Sequence, residues 1–169
     1  HCICAHRDGS VSVFNLADKL LLFKSNAGHQ ETIFDCKVSP TDADTFATCS
    51  YDTTVKIWNA ATFSLRKTLR GADSCLYSIS WSASGRMIAA SSSTGCICLW
   101  DVVTGSMRAR YSHHGNAASF MVTWNQIHPN ILCSSSSKCS LVIFQADESE
   151  LLEVGVRTGN DAIQKESVA

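Results

Sequence analysis

The sequence carries almost no net charge: 14 Lys and Arg against 15 Asp and Glu leave −1 at pH 7 over 169 residues. Without a field of one sign, electrostatics selects neither nucleic acid, nor an anionic membrane, nor an acidic substrate. Long apolar runs are missing as well. The longest, around Leu20 to Phe23, is far too short to span a bilayer, and no charged-then-apolar leader follows His1. The chain is therefore expected to be an internal excerpt of a soluble protein, with no nucleic-acid or membrane partner. Signatures of catalysis are equally scarce. There is no G-x-S-x-G elbow, no phosphate-binding glycine motif and no HExxH. The scattered carboxylates form no pair that a fold would obviously use as acid and base. Neither an enzyme nor a cofactor is expected.

What the chain does have is a 45% hydrophobic composition, enough for a sizeable core, and nine cysteines. The odd number, and the position of Cys36, Cys49, Cys133 and Cys139 in apolar, strand-like runs, favour small buried thiols over a disulfide framework. That points to a reducing, intracellular compartment, the cytoplasm. Zinc is the competing reading, because Cys2-x-Cys4 with His1 and His6, Cys96-x-Cys98 and His113-His114 all offer ligands. No C-x-x-C knuckle occurs, and the spacing argues against a metal.

One pattern recurs four times: a turn, alternating apolar residues, an aromatic, then a polar residue. The copies are RDGSVSVFN, YDTTVKIWN, STGCICLWD and SKCSLVIFQ, with aromatics at Phe14, Trp58, Trp100 and Phe144, spaced by 44, 42 and 44 residues. This is the period of a four-stranded propeller blade. Within it, Thr32 to Ser39, Thr45 to Ser50, Thr54 to Trp58 and Leu65 to Leu69 read as strands. So do Leu76 to Ser82, Arg86 to Ser91, Cys96 to Trp100 and Met107 to Tyr111 in the next period. A third period runs through Ala118 to Trp124, Asn130 to Ser135, Ser140 to Phe144 and a fourth strand near Leu151 to Val156. The expected fold is all-β, an open arc of about three to three and a half blades. Its divisions fall at 1–26 (the end of a preceding blade), 27–70, 71–112, 113–157 (a degenerate blade) and a disordered tail at 158–169.

Through Gly28-His29, the Asp52 turn, Trp58-Asn59 and Trp100-Asp101, residues 1 to 157 resemble the WD-repeat family. The resemblance implies a hydrogen-bonded structural tetrad, which by position is His29, Thr48, Asp52 and Trp58, with Ser50 an alternative hydroxyl. It has the residue types of a catalytic triad but not the exposed nucleophile or oxyanion hole that chemistry needs. Where His29 and Asp52 stand, the next blade has Ala72 and Thr94, and the last has Gly115 and Lys138 with Phe144 in place of tryptophan. Those two blades are expected to rely on apolar packing.

The resemblance also implies where partners dock: at the start of each inner strand and just before the turn aspartate. The positions are Thr32, Phe34 and Tyr51, then Cys75, Tyr77 and Ser93, then Ala118, Phe120 and Ser137. Phe34, Tyr51, Tyr77 and Phe120 would form an arc of aromatics suited to a protein or peptide. As plain strand residues, Phe34 and Phe120 could equally belong to the core. The basic stretch Lys56, Arg66, Lys67 and Arg70 reads as a solvated blade edge. The expected function is a non-catalytic interaction scaffold whose remaining blades lie elsewhere. The alternative is the propeller segment of an enzyme whose active site lies outside this chain.

Overall fold

In the computed structural model, which describes residues 1–25 and 28–146 and a backbone strand at 157–158, the four repeats become four antiparallel sheets. The first has three strands, β1 (Cys2–Ala5), β2 (Val11–Asn15) and β3 (Leu20–Lys24). The second runs β4 (Ile33–Val38), β5 (Thr45–Ser50), β6 (Val55–Asn59), β7 (Ser64–Leu69). The third runs β8 (Leu76–Trp81), β9 (Met87–Ser92), β10 (Ile97–Asp101), β11 (Met107–Tyr111). The fourth contains β12 (Ser119–Trp124), β13 (Ile131–Ser136), β14 (Leu141–Gln145) and β15 (Arg157–Thr158). Each strand pairs with its successor, so every sheet is a simple meander. Among the described residues there is no helix.

The alternation of side chains sorts the core into layers between neighbouring sheets. On β9, Ile88 and Ala90 pack toward the second sheet and its Val55 and Ile57, whereas Met87 and Ala89 pack toward the fourth with Val122, Leu132 and Phe144. On β5, Phe46 faces the first sheet and Ala47 and Cys49 face the third. Middle strands are thus apolar on both faces, and β5 and β9 are buried along their whole length. Outer strands have only one neighbour, and β3 exposes Leu20, Leu21 and Leu22.

Backbone geometry repeats with the sequence. The turns before β2, β6, β10 and β14 place Gly9, Thr53, Gly95 and Cys139 at φ of 81°, 68°, 82° and 58°. A left-handed residue is needed at this one position in all four repeats. At Gly9 the need is steric too, because a Cβ there would collide with the His29 carbonyl of the next sheet.

Inner strands β4, β8 and β12 lie side by side, and β1 lies beside β4. They are tied by hydrogen bonds about one period apart. Asp35 accepts from the Ser78 hydroxyl and the Ile79 amide, both at 3.1 Å, and Trp81 donates to the Lys37 carbonyl at 3.0 Å. The Trp124 amide donates to Ser80 Oγ at 2.8 Å. The sheets form an open arc.

Three sequence expectations need adjusting. The fourth strand near Leu151 to Val156 lies outside the described residues, and the edge pairing to Val142 and Ile143 comes from Arg157–Thr158 instead. Thr158, assigned to the tail, is therefore in a strand, and the rest of that tail lies outside the described residues. All nine cysteines are free, but of the four expected to be buried only Cys49 is; Cys36 and Cys133 are half-buried and Cys139 is exposed. Cys139 occupies the left-handed turn position before β14 and not a strand position.

Candidate functional site

The second sheet assembles a buried polar chain across its strands. His29, with a fully buried side chain, places Nε2 2.7 Å from Thr48 Oγ1 and Nδ1 2.9 Å from Asp52 Oδ2. The Trp58 indole donates to Thr48 Oγ1 at 2.9 Å. Residues His29, Thr48, Asp52 and Trp58 are therefore one network. Thr54, which sequence reasoning overlooked although it lies in the quoted repeat, is a fifth member: its hydroxyl donates to Asp52 Oδ1 at 2.7 Å and lies 3.1 Å from His29 Nδ1. Ser50 joins differently, by donating to the Glu31 carbonyl and accepting from the Asp52 amide.

Protonation follows from the partners. Burial is the largest influence on His29 and pushes its proton affinity down, against the pull of Asp52. Burial also opposes ionisation of Asp52, but the hydroxyl and amide of Thr54, His29 and the Gln30 amide together hold its carboxyl below the usual range. The consistent state is an anionic Asp52 accepting from Nδ1–H of a neutral His29, whose bare Nε2 accepts from Thr48. The Thr48 residue is completely buried, so its hydroxyl is out of reach of any substrate. What this arrangement does is close polar groups inside a packed sheet.

The other sheets solve the same problem differently. In the third sheet, Ala72 and Ala90 supply no imidazole and no hydroxyl, and Trp100 donates instead to the Arg70 carbonyl at 2.8 Å. Ser91 Oγ is buried there without a hydrogen-bond partner. The fourth sheet corrects the expectation of purely apolar packing. His114, not Gly115, takes the place of His29, with Nε2 2.8 Å from Ser134 Oγ and Nδ1 2.9 Å from Ser140 Oγ. Ser134 and Ser140 stand where Thr48 and Thr54 stand in the second sheet. The chain of bonds survives with a hydroxyl in place of the carboxylate, while burial, and then His113, lowers the proton affinity of His114. The offset of one residue arises in the approach to the inner strand, where Gly115 closes a turn onto the Ser112 carbonyl at a φ of 56°. In the first sheet the repeat leaves Asp8 accepting from Ser10 and His6 at 2.8 Å from Ser12.

The second constellation is on the rim. Each inner strand carries a register shift against its neighbour, between Ile33 and Asp35, Leu76 and Ser78, and Ser119 and Met121. The residues left unpaired are Phe34, Tyr77 and Phe120. A bulge aims its side chain out of the ladder, and one aromatic is thus aimed outward at the same point of three successive sheets. Phe34 and Phe120 are 47% and 56% exposed, so they are not core residues. Phe34 meets Tyr77 edge-on at 5.1 Å between centroids, Tyr77 meets Phe120 at 5.5 Å, and Tyr51 meets Phe34 at 6.4 Å.

One backbone bond, repeated, draws the remaining rim positions together. The Tyr51 amide donates to the Thr32 carbonyl, Ser93 to Cys75 and Ser137 to Ala118, at 2.8 to 2.9 Å. The Thr32 hydroxyl also reaches the Arg7 carbonyl of the first sheet at 3.1 Å. The bulge was not visible in the sequence, because an extra residue declares itself only through pairing.

In the basic stretch Arg66 and Arg70 are exposed and Lys56 and Lys67 half-buried. Arg66 donates to Thr45 at 2.7 Å, and Lys67 donates to the Val102 and Val103 carbonyls, tying β7 to a turn of the next sheet. Among the described residues, no group of three or more His, Cys, Asp or Glu side chains could hold a metal ion. Cys2 and Cys4 bring their sulfurs to 4.0 Å.

Four meander sheets stacked face to face around adjacent inner strands define a partial β-propeller. Residues 21–59 and 63–101 match the WD domain, G-beta repeat family, so these two stretches of the arc carry WD repeats. Among similar proteins, Coronin-7 of Mus musculus is 39% identical over 62 residues, covering 37% of this chain and 7% of that protein. Apoptotic protease-activating factor 1 of Rattus norvegicus is 32% identical over 100 residues, 59% of this chain and 8% of that protein. Protein tipD of Dictyostelium discoideum is 28% identical over 167 residues, 89% of this chain and 24% of that protein. The chain thus spans a small part of the relatives it matches.

Proposed function

We propose that this chain is a non-catalytic scaffold segment that docks a protein or peptide partner on the rim formed by Thr32, Phe34, Tyr51, Tyr77, Ser93 and Phe120. WD repeats in general mediate protein–protein interaction and are typically non-catalytic. The observation that carries the reading is the bulged aromatic repeated in three inner strands. A rigid layered core presents apolar rings to solvent where plain strand pairing would not, and aromatic side chains dominate binding energy at interfaces. The compartment we propose is the cytoplasm, in keeping with nine free thiols. Within the WD-repeat class, the run from Gly28 to Pro40 and the following ATCSYDTTVKIWNAAT resemble WD repeat-containing protein seventeen, and we propose kinship with it.

Affinity purification of the tagged protein from cells, compared with the Tyr51→Ala/Tyr77→Ala double variant and with Arg108→Ala on the exposed outer strand β11, tests the proposal. Partner recovery should fall with the double variant and persist with Arg108→Ala. Recovery unchanged by the double variant would remove the rim from the function. A copurifying activity whose loss tracked neither variant would favour the alternative, a propeller segment of an enzyme with its chemistry elsewhere.

A further inference from the structure

We infer that the ladder Tyr51–Phe34–Tyr77–Phe120 accepts a proline-rich segment in the polyproline II conformation, an inference that rests on the docking reading of this rim. Three features of the surface select that ligand over others. The first is that an added β-strand finds two of the inner-strand donors already taken. On the inner strands the Ile79 amide is already given to Asp35 and the Trp124 amide to Ser80, each across a sheet boundary. Edge pairing in the manner of strand addition would have to break these bonds.

The second feature is charge. No ladder position carries any, and two neighbouring carboxylates, Asp35 and Asp52, are turned to internal work. Asp35 receives Lys37, Ser78 and Ile79, while Asp52 receives His29, Gln30 and Thr54. A cationic side chain seated on the rings would meet π faces, with Asp35 and Asp52 already engaged and not available to complete its desolvation. An uncharged apolar ligand loses nothing by this.

The third feature is the match between ring and ligand chemistry. The rings touch in sequence, 5.1 to 6.4 Å apart, and make a continuous ridge instead of one deep pocket. A polyproline II helix rises ~3.1 Å per residue with three residues per turn, so the prolines of one edge recur about every 9 Å and straddle roughly two ring intervals. Its backbone carbonyls have no internal partner and need donors. Tyr77 sits between the two phenylalanines and Tyr51 at the end of the ridge, so each brings a hydroxyl to it; that of Tyr77 interacts with the Cys75 thiol, a weak partner easily exchanged for a carbonyl. Because the helix is preformed, little ordering entropy opposes its docking on a rigid rim.

The test is an anisotropy titration of the full chain with fluorescein-labelled decaproline, beside a glycine-serine decamer and a decamer alternating lysine and glycine. Decaproline should bind saturably and more tightly than either comparator. Tyr77→Ala should weaken it at least about tenfold and Tyr51→Phe, which removes only a hydroxyl, about threefold. Arg108→Ala should leave it unchanged, and unchanged thermal unfolding of each variant shows that the fold is kept. Absent saturation, tighter binding of the lysine decamer, or a Tyr77→Ala variant that binds as well as wild type would overturn the inference. If decaproline fails while the Tyr51→Ala/Tyr77→Ala variant still loses its copurifying partners, the ligand class falls and the docking rim stands. If partners are retained as well, both fall.

Discussion

Replacing Thr48 by valine keeps the shape of the side chain and removes one oxygen from the centre of the second sheet. That oxygen serves two buried groups at once, accepting the Trp58 indole N–H at 2.9 Å and donating to His29 Nε2 at 2.7 Å. Both would be left without a partner in a region where Thr48 is 0% exposed and Trp58 3%. A stranded buried polar group costs about 1–3 kcal/mol, so Thr48→Val, which strands two, should cost about 2–6 kcal/mol, a large part of a typical domain stability. The fourth sheet supplies the control. Ser134 holds the same place, but Phe144 has no N–H to strand, so Ser134→Ala leaves only His114 Nε2 unpaired. It should cost about one stranded group less. Urea unfolding followed by tryptophan fluorescence and far-UV circular dichroism gives both values, provided the slope m is unchanged. A Thr48→Val/Trp58→Phe cycle should return a coupling of about 1 kcal/mol or more. Equal losses for Thr48→Val and Ser134→Ala, or no coupling in the cycle, would refute the network as a source of stability.

Further perturbations probe the same architecture. Thr53 holds a β-branched side chain at a φ of 68°, where the equivalent Gly9 and Gly95 are free of that strain, so Thr53→Gly should leave stability unchanged or raise it by up to about 1 kcal/mol, read from the unfolding midpoint. The lowered proton affinity of His29 sets a sign for pH: below its unfolded value of 6.5 the unfolded chain binds the extra proton, so stability is full above that value and declines as pH falls toward the folded one. Asp52, held below 3.8, adds a further loss in more acid solution, and His29→Gln should flatten the upper part of the profile measured by thermal unfolding. Under native conditions a thiol reagent should label exposed Cys139 well before Cys49 or Cys98; burial pushes Cys49 well above the usual thiol range and Cys98 up to about 12. Mass spectrometry of peptides from a short reaction would show the order, and early labelling of Cys98 would contradict the layered core.

The fold was legible in the sequence because its causes are local and repeated. Alternating side chains, turn residues and an aromatic at 44, 42 and 44 positions say where strands lie, and the left-handed turn at Gly9, Thr53, Gly95 and Cys139 keeps the same intervals. The His29 network was expected from the family resemblance carried by Gly28-His29, the Asp52 turn and Trp58-Asn59, not from the period itself. His114 was missed because the loop leading to the inner strand is not held to the period; Ser134 and Ser140, in register with Thr48 and Thr54, were the available signal. The bonds from Asp35 to Ile79 and from Trp81 to Lys37 join different repeats and could not be read within either one. Exposure of the rim aromatics depended on a bulge, a fact of pairing that residue order does not state.

The central claim is that a partner sits on the bulged rim. Amide chemical-shift mapping of the isotope-labelled chain, titrated with a partner recovered by purification, tests it most directly. The account predicts changes concentrated at residues 31–35, 51, 75–78 and 118–121, with the outer strands β3, β7 and β11 silent. A footprint centred on those outer strands, with the rim unmoved, would contradict it.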